Sequence, residues 1–308
     1  MTYSMKIVAR KTGLTPHAIR VWEKRYRAIS PARTATNRRL YSDDDLRRLL
    51  LLSKATRAGH SIGRIARLPT ERLAALVHAE EAEYPQWKEA EPAPRAGDSN
   101  THVEDALAAL HSMNAAALES VLTKAAVSLS IPALLDQVIV PFMVRLGDLW
   151  REGQLRVAHE HLAEGIVRTI LGDLLRAGGA IDSAPEIVVA TPAGQHHEIG
   201  ALMAAVTAAS EGWRVMYLGA DLPAEEIAGS VAESHARAVA LSIVYPADDP
   251  HMATELERLR KYLPDQVAVV VGGRSAGSYR HILDSIGAVL TPDLHSLRLT
   301  LENLRTAG

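Results

Sequence analysis

The sequence predicts an α plus α/β multidomain chain: a winged helix-turn-helix, a four-helix bundle and a doubly wound α/β domain. Three observations carry that prediction. Residues 1–68 hold 16 Lys and Arg against four acids, about +12 on a chain whose formal net charge is −2. From Thr101 to Ala177 apolar residues recur at helical spacing. After Glu186 short β-branched runs alternate with helical stretches. The expected domains are 1–80, a linker at 81–100, the bundle at 101–180 and the α/β domain at 181–308.

The charge asymmetry leaves about −14 on residues 69–308, so the basic segment reads as the face of a polyanion partner. With no cysteine, disulfides, thiolate metal sites and a Cys nucleophile are excluded. A cytoplasmic, nucleoid-associated setting fits that composition. Lys6, Arg10, Lys11 and Arg20 argue against a secretory leader. No apolar run approaches the ~20 residues that span a bilayer, so no membrane partner is expected.

In the first segment, Ser4 is positioned to cap a helix from Met5 to Lys11. Thr12-Gly13-Leu14 makes a turn, Thr15 is a good N-cap, and Pro16 suits the first position of a second helix ending at Arg25. Two short helices joined by a tight turn read as a helix-turn-helix, whose second helix enters the major groove of DNA. Arg33 to Tyr41 reads as a basic hairpin or wing. Ser42 then caps a helix with Asp43, Asp44 and Asp45 in its first turn, running through Leu46 to about Ala58, and another helix follows from Ile62.

Pro85, Pro92, Pro94 and Gly97 mark residues 85–100 as a linker. Four helices follow. The third starts at Ile131-Pro132 and reaches Trp150, Gly153 ends it, and the fourth runs from Leu155 to Ala177. Strands are expected at Ile187–Ala190, Arg214–Leu218, Ala238–Val244, Val267–Val271 and Ala288–Leu290. In a flavodoxin-like order the first, third and fourth lie side by side. The His196-His197 loop, Ser242 and Gly272-Gly273 would then line one crevice at the strand carboxyl ends, where ligands sit in such sheets.

The run Val8-Ala-Arg-Lys-Thr-Gly-Leu-Thr-Pro-His-Ala-Ile-Arg-Val-Trp-Glu-Lys-Arg-Tyr26, with Asn37-Arg-Arg-Leu-Tyr-Ser42, resembles the MerR family of transcription regulators. The resemblance covers about the first 70 residues and implies contact with double-stranded operator DNA. His17, Arg20, Lys24, Arg25, Arg38 and Arg39 are the candidate contacts. Arg and Lys on phosphates set register, and base-edge contacts set sequence.

Gln195-His-His-Glu-Ile-Gly200, Ser242-Ile-Val244 and Gly272-Gly273 together resemble the cobalamin-binding domain of methionine synthase and the adenosylcobalamin mutases. That resemblance implies His197 as the lower axial cobalt ligand, and Gly200, Ser242, Gly272 and Gly273 as the pocket for the nucleotide tail. Gln195 stands where the family has an acid that orients the histidine; it can bond an imidazole but cannot stabilise an imidazolium by charge.

Trp150, with Glu160 and His161 ten and eleven residues later, is similar to the cap of the CarH/LitR light-responsive regulators. The similarity implies that Trp150 and Glu160 shelter the adenosyl group of adenosylcobalamin, with His161 beside them. Light-sensing members place a His directly after that Trp; here the residue is Arg151. Taken together, the resemblances imply a light-responsive repressor that is a homodimer or homotetramer, and not an enzyme. The alternative is a light-independent sensor of cobalamin or another tetrapyrrole.

Overall fold

The computed structural model describes residues 2–14, 16–34, 38–57, 60, 62–83, 99–178, 183–247 and 249–306. The chain divides into two compact units, Met1–Ile170 and Leu171–Gly308.

The first unit opens with β1 (Thr2–Tyr3), α1 (Met5–Thr12) and α2 (Pro16–Lys24). Gly13 ends α1 at φ 66, a left-handed turn that glycine enters without Cβ strain. Ser4 is extended but makes no side-chain cap bond, so the expected capping role of that residue is corrected. Thr15, the expected second cap, lies outside the described residues. The wing is β2 (Ala32–Arg33) against β3 (Arg39–Ser42), with β1 on the other side of β3, all antiparallel.

At the start of α3 (Asp43–Arg57), Ser42 and Asp45 exchange bonds. The Ser42 amide donates to Asp45 Oδ2 at 2.9 Å, and the Asp45 amide donates to Ser42 Oγ at 3.1 Å. That reciprocal arrangement satisfies two amides that the helix start would otherwise orphan. Short α4 (Ile62–Ile65) and α5 (Thr70–Glu83) complete the domain. Its core is Val8, Leu14, Ile19, Trp22, Tyr41, Leu49, Leu52 and Leu73. Arg48 ties the layers by donating to the carbonyls of Ala28, Ala66 and Leu68 and to Thr70 Oγ1.

The bundle helices are α6 (Ser99–His111), α7 (Ala115–Ser128), a long third helix and α10 (Val157–Ala177). The third helix is α8 (Ile131–Leu134), a π-helical segment (Leu135–Ile139) and α9 (Val140–Arg151) in succession. Pro141 has no N–H to give and crowds the preceding turn, and the widened π turn just before it accommodates both effects. α9 closes on Gly153 at φ +72, with Gly153 N–H donating to Trp150 O and Gln154 N–H to Leu149 O. Those paired bonds are a Schellman stop. The next helix therefore starts at Val157 and not at the expected Leu155.

The second unit is a five-stranded parallel sheet: β4 (Glu186–Pro192), β5 (Arg214–Leu222), β6 (Ala238–Ser242), β7 (Ala268–Gly272) and β8 (Val289–Thr291). The spatial order is β5-β4-β6-β7-β8, the flavodoxin-like order the sequence predicts. Between the strands run α11 (Ile199–Ser210), α12 (Ala224–Ser234), α13 (Met252–Tyr262) and α14 (Arg280–Ser285), and α15 (Leu294–Thr306) follows β8. One face of the sheet packs through Val188, Val239, Val271, Ile227 and Leu256. The other packs through Val189, Ala240, Ala205, Trp213 and Leu301. β6 stops at Ser242, two residues short of the expected Val244, because the amides of Val244 and Tyr245 turn to a side chain instead of a neighbouring strand.

Candidate functional site

The strand order places the switch point between β4 and β6, and the His196-His197 loop leaves β4 at that point. The loop is held from several sides. Thr191 Oγ1 donates to the Gln195 carbonyl, and the Gln195 amide donates to Pro192 O at 3.0 Å. Gly194 N–H donates to Asp221 Oδ1 at 2.8 Å. The two histidines are thereby separated. His196 is exposed, with Nδ1 3.5 Å from Asp221 Oδ2 on the β5 side. His197 is half-buried and sits with its ring centroid 6.1 Å from that of Tyr245, edge to face, on the β6 side. His197 is thus the histidine turned to the switch point.

Gln195 does something the sequence did not anticipate. Its side chain is 1% exposed. Its Oε1 accepts from the amides of Val244 at 2.8 Å and Tyr245 at 3.0 Å, and its Nε2 donates to Pro246 O at 3.4 Å. Gln195 therefore pegs the loop after β6 to the loop after β4. A carboxylate could accept the two amides but could not donate to Pro246.

Ser242 closes β6 and is 4% exposed. Among the described residues, three buried hydroxyls have no hydrogen-bond partner: Thr207, Ser234 and Ser242. Only Ser242 lies at the carboxyl end of a strand beside the histidine loop. An orphaned buried hydroxyl costs free energy, on the order of 1–3 kcal/mol, unless something else satisfies it. Gly200, in the first turn of α11, stands directly over it: a Cβ there would lie 2.5 Å from Ser242 Oγ. Gly273 has φ +102, and a Cβ on it would meet Ile243 O at 2.4 Å. A Cβ on Gly272 would lie 3.1 Å from Thr291 O. The crevice is therefore lined by backbone and one unpaired hydroxyl, a donor set that suits a long polar group passing between sheet and helix.

The bundle residues stand as follows. Trp150, at the end of α9, is 46% exposed, so it is not a core residue. Val157 at the start of α10 is 56% exposed. Glu160 is half-buried and His161 exposed. Arg151 is ion-paired with Asp148 and donates to Gly147 O at 3.3 Å. His159 Nδ1 accepts the Arg156 amide at 3.2 Å.

On the DNA-binding domain, Arg20, Lys24, Arg25 and Arg38 are exposed. Arg39 differs from them: its Nε lies 2.5 Å from Glu23 Oε2, an ion pair that raises its pKa chiefly through that hydrogen bond. Arg39 thus fixes the wing to α2. His17 belongs to α2, but its side chain lies outside the described residues.

Residues 3–71 match the MerR HTH family of regulatory proteins, and residues 103–174 and 185–291 match two B12-binding domain families. Over 285 residues the chain is 31% identical to the HTH-type transcriptional repressor CarH of Myxococcus xanthus, covering 92% of this chain and 93% of that one. The chain belongs to the CarH family of transcriptional repressors. The HTH-type transcriptional repressor CarA of the same organism is 28% identical over 309 residues, 100% of this chain and 99% of that one. Full-length relatives of this kind set the chain among transcription regulators and not enzymes. In fold, the chain is similar to the monomethylamine corrinoid protein of Methanosarcina barkeri, at 16% identity and a TM-score of 0.50, over 67% of this chain and 99% of that one. Among the described residues, no helix is long and apolar enough to cross a membrane.

Proposed function

We propose that this CarH-family chain is a repressor that binds operator DNA through α2 and the wing and takes adenosylcobalamin as its light-sensitive cofactor. The carrying observation is the buried, unpartnered Ser242 hydroxyl under Gly200. It is a polar atom held ready for a ligand, at the switch point where His197 also stands. When bound, adenosylcobalamin supplies a cobalt–carbon bond that light breaks. His197 offers an imidazole nitrogen to cobalt, and Ser242, Gly200, Gly272 and Gly273 receive the nucleotide tail. Gln195 holds the loops that frame them. Trp150 offers an aromatic face, and Glu160 a carboxylate that accepts from ribose hydroxyls; His161 stands beside them.

Arg20, Lys24, Arg25 and Arg38 contact operator DNA in the cytoplasm, and paired copies of the chain occupy two half-sites. Loss of a linked second module weakens apparent affinity by roughly 10²–10⁴, so a change in the homodimer or homotetramer on illumination is sufficient to release DNA.

One observation favours a light-independent cobalamin sensor as a second reading. Arg151, where a ligating His would follow Trp150, is engaged by Asp148 and Gly147. Operator retardation by the loaded protein in the dark and after green light decides between the two: a light-induced loss of retardation supports the first reading, and equal retardation the second. Binding itself is tested with His197→Ala. The parent retains adenosylcobalamin through gel filtration with an absorption spectrum that the variant does not reproduce. Identical spectra for both would remove His197 from the cobalt.

A further inference from the structure

The helix-turn-helix is not an isolated module within its unit. Trp22 lies on α2 yet is 0% exposed, and its indole N–H donates out of the domain to the carbonyl of Val127, near the end of α7, at 3.0 Å. The turn between α1 and α2 makes a second bond: Gly13 O accepts the Ile131 amide, the first residue of α8, at 3.3 Å. Both bonds end on one corner of the bundle, Val127–Ile131, whose Leu129, Ser130 and Ile131 are buried. The corner thus holds the helix-turn-helix at its turn and through the indole edge of α2. The side chains offered to DNA (Arg20, Lys24, Arg25) remain exposed.

The same corner starts the long helix that ends at Trp150. Ile131 to Arg151 is 21 residues, about 30 Å at 1.5 Å per residue, with α8, the π segment and α9 in unbroken succession. One end of this element bonds the turn of the helix-turn-helix; the other carries the exposed Trp150. The π segment at Leu135–Ile139 lies between them. Such segments are rare, locally wide turns found inside α-helices, frequently at functional sites.

We infer that the Val127–Ile131 corner is a docking surface for the DNA-binding domain of the same chain. The helix Ile131–Arg151 is the lever by which the state of the Trp150 end sets that docking. The docking stands on the two bonds alone; the lever rests on the cofactor reading proposed above.

The absence of native cysteine lets two spin labels be placed at exposed Lys6 and Glu119 of the full chain without background. The experiment measures their distance distribution without DNA in the parent and in two variants, one from each side of the contact. Trp22→Phe removes the indole donor. Ile131→Pro removes the amide donor at a helix start where Ser130 is already extended, at φ −71 and ψ 161, as a following proline requires. Trp213→Phe is the control, because Trp213 makes the same kind of indole-to-carbonyl bond to Leu301 in the other unit. Operator binding by each variant reports that its helix-turn-helix is folded.

The expected result is one narrow distance in the apo parent and the control, and a broad distribution in both contact variants, which still retard operator DNA. A broad distribution in the apo parent, or narrow ones in the variants, overturns the docking. On loading with adenosylcobalamin, monitored by absorbance, the parent's distance shifts. Uptake without a shift overturns the lever. No uptake overturns the cofactor reading and the lever with it, while the apo distances still decide the docking.

Discussion

Ser242→Ala is expected to make the free protein more stable and the cofactor-bound protein weaker. In the free chain the Ser242 hydroxyl is buried and bonds nothing. Burying an unsatisfied polar group costs roughly 1–3 kcal/mol, and alanine removes that cost without leaving a gap larger than one oxygen. Relaxation recovers part of the cost in the parent, so a gain of about 1 kcal/mol in the apo protein is expected. For a unit of this size that raises Tm by roughly 4 °C. With cobalamin, the hydroxyl acquires its partner, and a net hydrogen bond contributes about 1 kcal/mol; with the apo gain of about 1 kcal/mol the loss in binding is about 2 kcal/mol, and the variant's Kd for adenosylcobalamin therefore rises about thirtyfold. Differential scanning calorimetry of the apo protein and equilibrium dialysis in the dark give the two numbers. The opposed signs are the diagnostic feature. A purely structural serine would give an apo protein of lower stability with unchanged affinity, and that result would refute the assignment. Gly200→Ala adds an internal check. Its Cβ would lie 2.5 Å from Ser242 Oγ but 3.5 Å from the next neighbour, Val244 Cγ2. Its cost should therefore be smaller in the Ser242→Ala background than in the parent.

Three further outcomes are expected. Gly273→Ala places a Cβ 2.4 Å from Ile243 O at φ +102, where both neighbour and residue are backbone; it should cost more than ~3 kcal/mol in urea unfolding of the α/β unit. Arg20→Ala and Lys24→Ala should each lower the slope of log K against log salt for operator binding by about 1, whereas Arg39→Ala, already paired with Glu23, should lower stability more than the salt slope. Tyr41 is fully buried, and burial first, then Glu23, pushes its phenol up to about 12. The unfolded phenol titrates near 10, so the folded state favours the neutral form. That stabilisation is complete below pH 10 and is lost as pH rises through 12, about 3 kcal/mol in all. Tyr41→Phe should flatten the alkaline limb of stability against pH, and an unchanged limb would assign it to another group.

The sheet was legible because its strands are near-continuous β-branched runs, such as Ile187-Val-Val-Ala190 and Ala268-Val-Val-Val271, the signature of strands buried on both faces. The strand order followed from chain topology. The helix-turn-helix was legible through Gly13 and Pro16, residues whose backbone preferences mark a turn and a helix start. What escaped the sequence depends on partners far along the chain. Gln195 resembles a substituted imidazole partner until its side chain is seen to bond Val244, Tyr245 and Pro246 in the loop after β6. Arg39 resembles the other wing cations until Glu23 is found 16 residues before it at 2.5 Å. β1 is two residues long and carries no pattern of its own. The π segment follows from Pro141 combined with packing on both sides, which periodicity does not encode. The bond from Trp22 to Val127 joins residues 105 apart, and nothing local to either announces it.

The most direct test of the account is operator retardation by the full chain loaded with adenosylcobalamin, in the dark and after green light, beside His197→Ala. Strong retardation in the dark, loss of affinity of at least tenfold on illumination, and no light response in the variant are expected. Equal retardation of the parent in dark and light, with cobalamin bound in both, would contradict it.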